Sequence, residues 1–239
     1  MTVHPARFSP SIVTVIGEYL ADLGTTHVHD PFGGSGERLG ELATTMGLTF
    51  TGTEIEASFI VDQRLVHGDA TVQATYPRGN FVIVTSPAYP NGISDNFATN
   101  PDKESKNWRR ITYRHRVAEI EGVPVAQREL HPNNMGRWGY RGRGERSKAR
   151  DTYWRLACEA VACWSDAEAV ILNVSDFMFS RRGEDLIEPV VEPWIDLLSA
   201  AGFEVDKISY PDTPRMLLAS DESRGKRVQG EAVILARAA

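Results

Sequence analysis

Apolar positions recur along this chain in two alternating rhythms. Residues 10–23, PSIVTVIGEYLADL, place Ile12, Val15, Ile16, Tyr19, Leu20 and Leu23 at helical spacing. The run THVHD (26–30) predicts a short strand. GERLGELATTMG (36–47) predicts a helix ending at Gly47, and LTFTGTE (48–54) alternates as a strand. IEASFIVDQRL (55–65) reads as a helix, and VHGDA (66–70) as a strand or strand end. FVIVTS (81–86) is apolar, aromatic and β-branched, the composition of a strand buried on both faces. Periodicity then lapses until residue 151. Beyond it come a helix at TYWRLACEAVACW (152–164) and a strand at AEAVILNVSDF (167–177). LIEPVVEPWIDLLSAAG (186–202) reads as a helix broken near its prolines. FEVDKISYP (203–211) and GEAVILARA (230–238) read as the last strands.

Strand–helix alternation of this kind predicts an α/β fold, with an open, mostly parallel sheet and helices on both faces. The shift in composition at 95–150 is expected to be an insertion at the carboxyl edge of the sheet, where ligands of such folds bind. The whole chain, 1–239, reads as one domain carrying that insertion.

Length and composition add bounds. A chain of 239 residues with 41% hydrophobic and 24% charged residues supports one generous core. No apolar run approaches the ~18 residues of a membrane span. The start, MTVHPARFSP, lacks a charged region followed by an apolar stretch, so no secretory signal is expected. The only cysteines, Cys158 and Cys163, lie five apart in one predicted helix and are expected to be buried small hydrophobes. A cytoplasmic protein without a membrane partner is the expectation.

Net charge changes the picture more. The chain carries −6 overall, yet residues 101–150 hold thirteen Lys/Arg against six Asp/Glu. An acidic body with one basic segment suits a protein that meets polyanions with one face.

The strand ends carry the candidate chemistry. DPFGGSG (30–36) lies between a strand and a helix, and its glycines allow a tight turn with close backbone approach to a ligand. It lacks the Gly-Lys-Ser/Thr ending of a triphosphate loop. Asp30 stands at the strand tip, placed to accept from an ammonium group. Glu54 ends the second strand about 20 residues after the glycines, where a carboxylate accepts ribose hydroxyls; Glu56 is the fallback. Asp69, in HGDAT, is placed to accept from an adenine amine, or serves only as a turn residue. TSPAYPNG (85–92) ends the FVIV strand with two prolines and a tyrosine, either a rigid turn or a grip for a flat group.

Together these motifs resemble the class I S-adenosylmethionine-dependent methyltransferases, and within them the DNA amino-methyltransferases. DPFGGSG is similar to their Asp-Pro-Phe-x-Gly-Ser-Gly motif and TSPAY to their Asp/Asn/Ser-Pro-Pro-aromatic motif. HPARFSPSIV is similar to the segment beside the cofactor's methionine end, and 215–237 resembles their Arg-rich closing hairpin. The resemblance implies a Rossmann-like, seven-stranded sheet with an antiparallel C-terminal strand. It implies S-adenosylmethionine as cofactor, S-adenosylhomocysteine as product, and no metal. The implied cofactor site comprises Phe8, Asp30, Pro31, Phe32, Gly33, Gly34, Gly36, Glu54, Ile55, Asp69, Ala70 and Ser86. The implied catalytic residues are Ser86 and Pro87, as acceptors for the amine, and Tyr89, stacked on a flipped base. Ser86 leans the reading toward N4 of cytosine over N6 of adenine. Two departures stand out: Ala88 replaces the second proline, and Glu37 and Arg38 stand where many relatives carry threonines.

RWGYRGRGERSKAR (137–150) and NWRRITYRHR (107–116) interleave basic and aromatic residues. Arg109, Arg110, Arg114, Arg137, Trp138, Tyr140, Arg141, Arg143, Arg146 and Lys148 are expected to meet DNA, double-stranded, through phosphate contacts and stacking. A recognition region this small implies a short site or help from a second subunit, as in a homodimer.

Overall fold

A computed structural model describes residues 8–90, 113–140, 147–181, 184–212 and 230–239. In chain order, its larger elements begin with α1 (Pro10–Leu23), β1 (His27–Asp30), α2 (Glu37–Met46), β2 (Thr49–Glu54), β3 (Leu65–His67) and β4 (Val82–Thr85). Within the insertion lies α3 (Tyr113–Glu121). After it come α4 (Lys148–Ala162), β5 (Ala169–Ser175), β6 (Phe177–Arg181), β7 (Glu184–Glu188), α5 (Val191–Ala200), β8 (Phe203–Ser209) and β9 (Glu231–Ala238).

Seven strands form one sheet in the order β3-β2-β1-β4-β5-β9-β8. β1 to β5 pair in parallel, and β9 runs antiparallel to both β5 and β8. This is the Rossmann-like arrangement with an antiparallel C-terminal strand that the motifs implied. Strand order reverses beside β1, so the carboxyl ends of β1 and β4 flank the topological switch point, where open sheets bind ligands.

Burial follows the two periods. Phe81 and Ile83 join the cluster beneath α4 and α5, with Leu156, Trp164 and Trp194. Val82 and Val84 join the opposite cluster with Ile12, Ile16 and Leu20 of α1. One short run thus serves two cores, which is why FVIV carries no polar alternation. Ser9 caps α1, its Oγ accepting from the Ile12 N–H at 3.4 Å, and left-handed Gly24 ends the helix.

Three local expectations are corrected. Residues 55–65 form only a single helical turn, Ala57–Phe59. The Asp62 carboxylate takes the Arg64 backbone N–H and guanidinium, fixing a turn where the helix would continue. Residues 186–188, expected to open a helix, belong instead to β7, which pairs with β6 in a separate two-stranded ribbon. Asp176 Oδ1 accepts from the N–H groups of Val190 and Val191 at 2.6 and 2.8 Å, so α5 starts after Pro189. Cys158 is exposed; only Cys163 is buried, and neither is in a disulfide. No helix among the described residues is long and apolar enough to cross a membrane.

Candidate active site

The carboxyl ends of β1, β2 and β4 and the loop after β3 open onto one cleft. Of the residues implied for the cofactor, Pro31, Phe32, Glu54, Ile55, Asp69, Ala70 and Ser86 line it. They reach the cleft from four separate segments, so the fold itself assembles them.

The glycines act from below. Gly33 donates its N–H to the Thr53 carbonyl at 2.8 Å, and Gly34 donates to Glu54 Oε2 at 2.9 Å. At Gly36 φ is 72°, and a Cβ would lie 2.8 Å from both Asp62 and Leu65 side-chain atoms. Only glycine fits that close approach. Phe8 packs against the α1 side of the core and is not part of the cleft wall.

Glu54 is the best-placed acceptor. Its Oε1 takes the Glu56 N–H at 2.9 Å, so each oxygen holds one backbone donor and keeps further acceptor capacity. Burial pushes its carboxyl up to about 8, only partly offset by those two backbone donors. Asp30, implied for the cofactor, is buried at the carboxyl end of β1. Its Oδ1 accepts from Thr85 Oγ1 at 2.6 Å and from the Phe32 N–H at 3.0 Å, tying β1 to β4. Burial holds it at about 7.

These two carboxyls set a pH dependence. Their folded pKa values lie above the unfolded ones, so the stability they contribute is complete below about pH 4 and lost as pH rises through 7 and 8. His29 has the opposite sign: burial lowers it to about 4, so its contribution is complete above pH 6.5 and lost below. Between pH 6.5 and 8.5 only the carboxyls matter among these three. The ligand-free chain should lose about 2–3 kcal/mol of unfolding free energy across that window. Urea denaturation at a series of pH values checks this, and a flat or rising profile contradicts it.

The insertion contributes a wall that the motifs did not reveal. Asn133, Asn134 and Met135 line the cleft. Asn133 Nδ2 donates to Asp69 Oδ2 at 2.7 Å, while Asp69 Oδ1 accepts from the N–H and hydroxyl of Thr71. Glu56, the fallback ribose acceptor, is instead a structural knot. It accepts from Arg128 Nη2 at 2.8 Å, from the His131 N–H at 2.7 Å and from Asn134 Nδ2 at 3.0 Å. The local sequence HPNNMG signals a turn and nothing more, because both partners of the asparagines lie more than sixty residues away.

In the turn after β4, Ser86 and Ala88 face the cleft. Pro87 is buried. Tyr89 is corrected: it is 6% exposed, its hydroxyl lies 3.4 Å from Glu231 Oε2 at the start of β9, and its ring is not in the cleft wall. The turn folds the ring inward, so it offers no face to a base in this state.

The basic segment divides. Arg109, Arg110, Arg141, Arg143 and Arg146 lie outside the described residues, as do residues 4–7 and 213–229 of the terminal motifs. Arg114 is in the first turn of α3, its side chain outside the description. Lys148 is exposed at the start of α4. Arg137 stacks over Trp138 at 5.6 Å and lies 3.7 Å from Glu129, and Trp138 Nε1 donates to the Pro132 carbonyl. Tyr140 is corrected: it is 1% exposed, packed on Tyr153 and Phe177, with its hydroxyl accepting from Trp154 Nε1. Its neighbours in space are the aromatic core and Arg150, whose guanidinium lies over its ring at 5.4 Å.

No family model matches the chain, and no curated protein matches it. Among solved structures it resembles a SAM-dependent methyltransferase from Archaeoglobus fulgidus, with 13% identity, 94% of each chain covered and a TM-score of 0.47. It also resembles magnesium protoporphyrin IX methyltransferase from Synechocystis PCC 6803 with bound SAH (10% identity, 95% of this chain, 82% of that one, TM-score 0.46). A third is the Burkholderia thailandensis 1,6-didemethyltoxoflavin-N1-methyltransferase (11% identity, 96% of this chain, 79% of that one, TM-score 0.44). At these identities the similarity is one of chain course alone.

Proposed function

We propose that the chain is an S-adenosylmethionine-dependent methyltransferase that modifies an exocyclic amine of a DNA base, N4 of cytosine in preference to N6 of adenine. The observation that carries this reading is the meeting of Glu54, Asp69 and Ser86, from separate strand ends, around one cleft above a glycine turn. The residues fit the cofactor's chemistry. Glu54 suits hydroxyl donors, Asp69 suits an amine, and Ile55, Phe59 and Ala70 supply flat apolar walls for a ring.

When bound, S-adenosylmethionine supplies an electrophilic methyl group. Ser86 and the Pro87 carbonyl then do the chain's part: they accept from the amine's N–H bonds and turn its lone pair toward the cleft. Transfer would leave the nitrogen with one proton in excess, which would pass to solvent. Catalysis of this kind is chiefly positioning.

A second reading has specific support. The described arginines nearest the cleft are already paired, Arg128 with Glu56 and Glu121 and Arg137 near Glu129. Tyr89 and Tyr140 are buried. Paired arginines and buried rings favour a protein acceptor, which carries no phosphate backbone, entering the same cleft. Nucleoside mass spectrometry of DNA from cells expressing the chain separates the two. N4-methylcytosine is expected; N6-methyladenine would overturn the preference drawn from Ser86, and neither mark would overturn the DNA reading.

A further inference from the structure

The turn Ser86–Pro90 is one proline short of the motif it resembles, and a proline at 88 would have fixed φ there near −65°. The missing restraint has a counterpart outside the turn. Tyr153, in the second turn of α4, donates its hydroxyl to the Ala88 carbonyl at 3.0 Å. The Tyr140 N–H donates to the Pro90 carbonyl at 2.8 Å, two residues further on. At the near end, Thr85 is bonded through its hydroxyl to Asp30. Three points therefore bracket the turn: one from β1, one from α4 and one from the insertion.

Tyr153 is set up for this role. It is 1% exposed, its ring held edge-on by Tyr140 at 5.7 Å and Trp154 at 5.2 Å. A ring locked on both sides leaves its hydroxyl little freedom, so the Ala88–Tyr89 peptide plane inherits its position. That plane adjoins the one bearing the Pro87 carbonyl, an acceptor in the proposed reaction. Leu156, one turn on, lines the cleft itself. α4 thus supplies both wall and restraint.

We infer that Tyr153 is a positioning residue: its hydroxyl does for the reaction turn what a second proline does in the motif this chain departs from. The inference rests on the proposed function for its kinetic consequence, but its structural content does not. Tyr153→Phe removes the hydroxyl and keeps the ring. Amide hydrogen exchange at Ser86, Ala88 and Tyr89 should then accelerate about tenfold, with the melting temperature nearly unchanged. With S-adenosylmethionine and duplex DNA, kcat should fall about tenfold while the KM for cofactor stays within about twofold. Adding Ala88→Pro to Tyr153→Phe should restore both the rate and slow exchange at Ser86 and Tyr89, position 88 itself then having no amide proton.

Unchanged exchange in Tyr153→Phe overturns the inference, whether or not the chain methylates DNA. Faster exchange with an unchanged rate overturns the positioning role, as does failure of Ala88→Pro to rescue. A wild-type chain inactive on every acceptor, with exchange responding as expected, would sink the proposed function and leave the restraint standing.

Discussion

Glu54→Gln should lower S-adenosylmethionine affinity at least a hundredfold while leaving the chain folded. The carboxylate is placed to accept from two hydroxyls, and a hydrogen bond to a charged group contributes about 1.5–3 kcal/mol. Losing two such bonds corresponds to a factor of 10² or more. The fold is less exposed to the change. In the ligand-free chain burial keeps Glu54 largely protonated up to about pH 8, so a neutral side chain already occupies the site. Glutamine accepts from only one of the two backbone donors, Gly34 or Glu56, at a cost of about 1–2 kcal/mol. The two effects separate by measurement: calorimetry for affinity, denaturation for stability. Hydroxyl donors favour the ionised form, so cofactor binding at neutral pH should release a proton. Calorimetry in buffers of different ionisation enthalpy should detect that release in the wild type and lose it in the variant. Equal affinity in the two proteins would remove Glu54 from the cofactor site.

Ser86→Ala should cut kcat for methyl transfer about a hundredfold with cofactor affinity within about threefold. Ser86 is half-buried in the cleft wall at the end of a fully buried strand. A fixed acceptor in a site shielded from water is worth more than the same group in solvent, and removing one such group commonly costs 10²–10³ in rate. An alanine keeps the backbone of the turn, including the Pro87 carbonyl, so a residual rate should survive. If affinity and rate fall together, Ser86 belongs to the cofactor site only. If neither falls, the amine is held elsewhere.

Much of this site was legible because it is written locally. DPFGGSG, Glu54, Asp69 and TSPAY each sit at the end of a predicted strand, and parallel strands bring their carboxyl ends to one edge. Knowing the order of strands and turns was enough to place four segments around a cleft. What escaped the sequence was whatever depends on distant partners. Residues 55–65 have the apolar spacing of a helix, yet Phe59 is spent on a small cluster with Val117 and Leu130 of the insertion. Glu56 resembled a second ribose acceptor, but Arg128, His131 and Asn134 claim it from more than seventy residues away. Tyr140 sits in a basic run and was read by its neighbours in sequence; the aromatic core beneath α4 draws it inward. The strand at 184–188 was hidden by Pro189 and Pro193, which looked like breaks in one long helix. Pro189 instead separates a ribbon from α5, and Pro193 lies in that helix's first turn.

Ala88 likewise changes meaning. From sequence it was a departure, the residue that replaces the motif's second proline. In the fold its carbonyl is the point at which α4 takes hold of that turn, so the looser motif and the added hydroxyl belong together.

The central claim, methyl transfer from S-adenosylmethionine to a base amine, has a direct measurement. Purified chain is incubated with duplex DNA and cofactor carrying a deuterated methyl group, and the DNA is digested to nucleosides for mass spectrometry. Labelled N4-methylcytosine is expected, and none at short times when Ser86→Ala replaces the wild type. Unlabelled DNA, beside labelled RNA or protein from a parallel incubation, would contradict it.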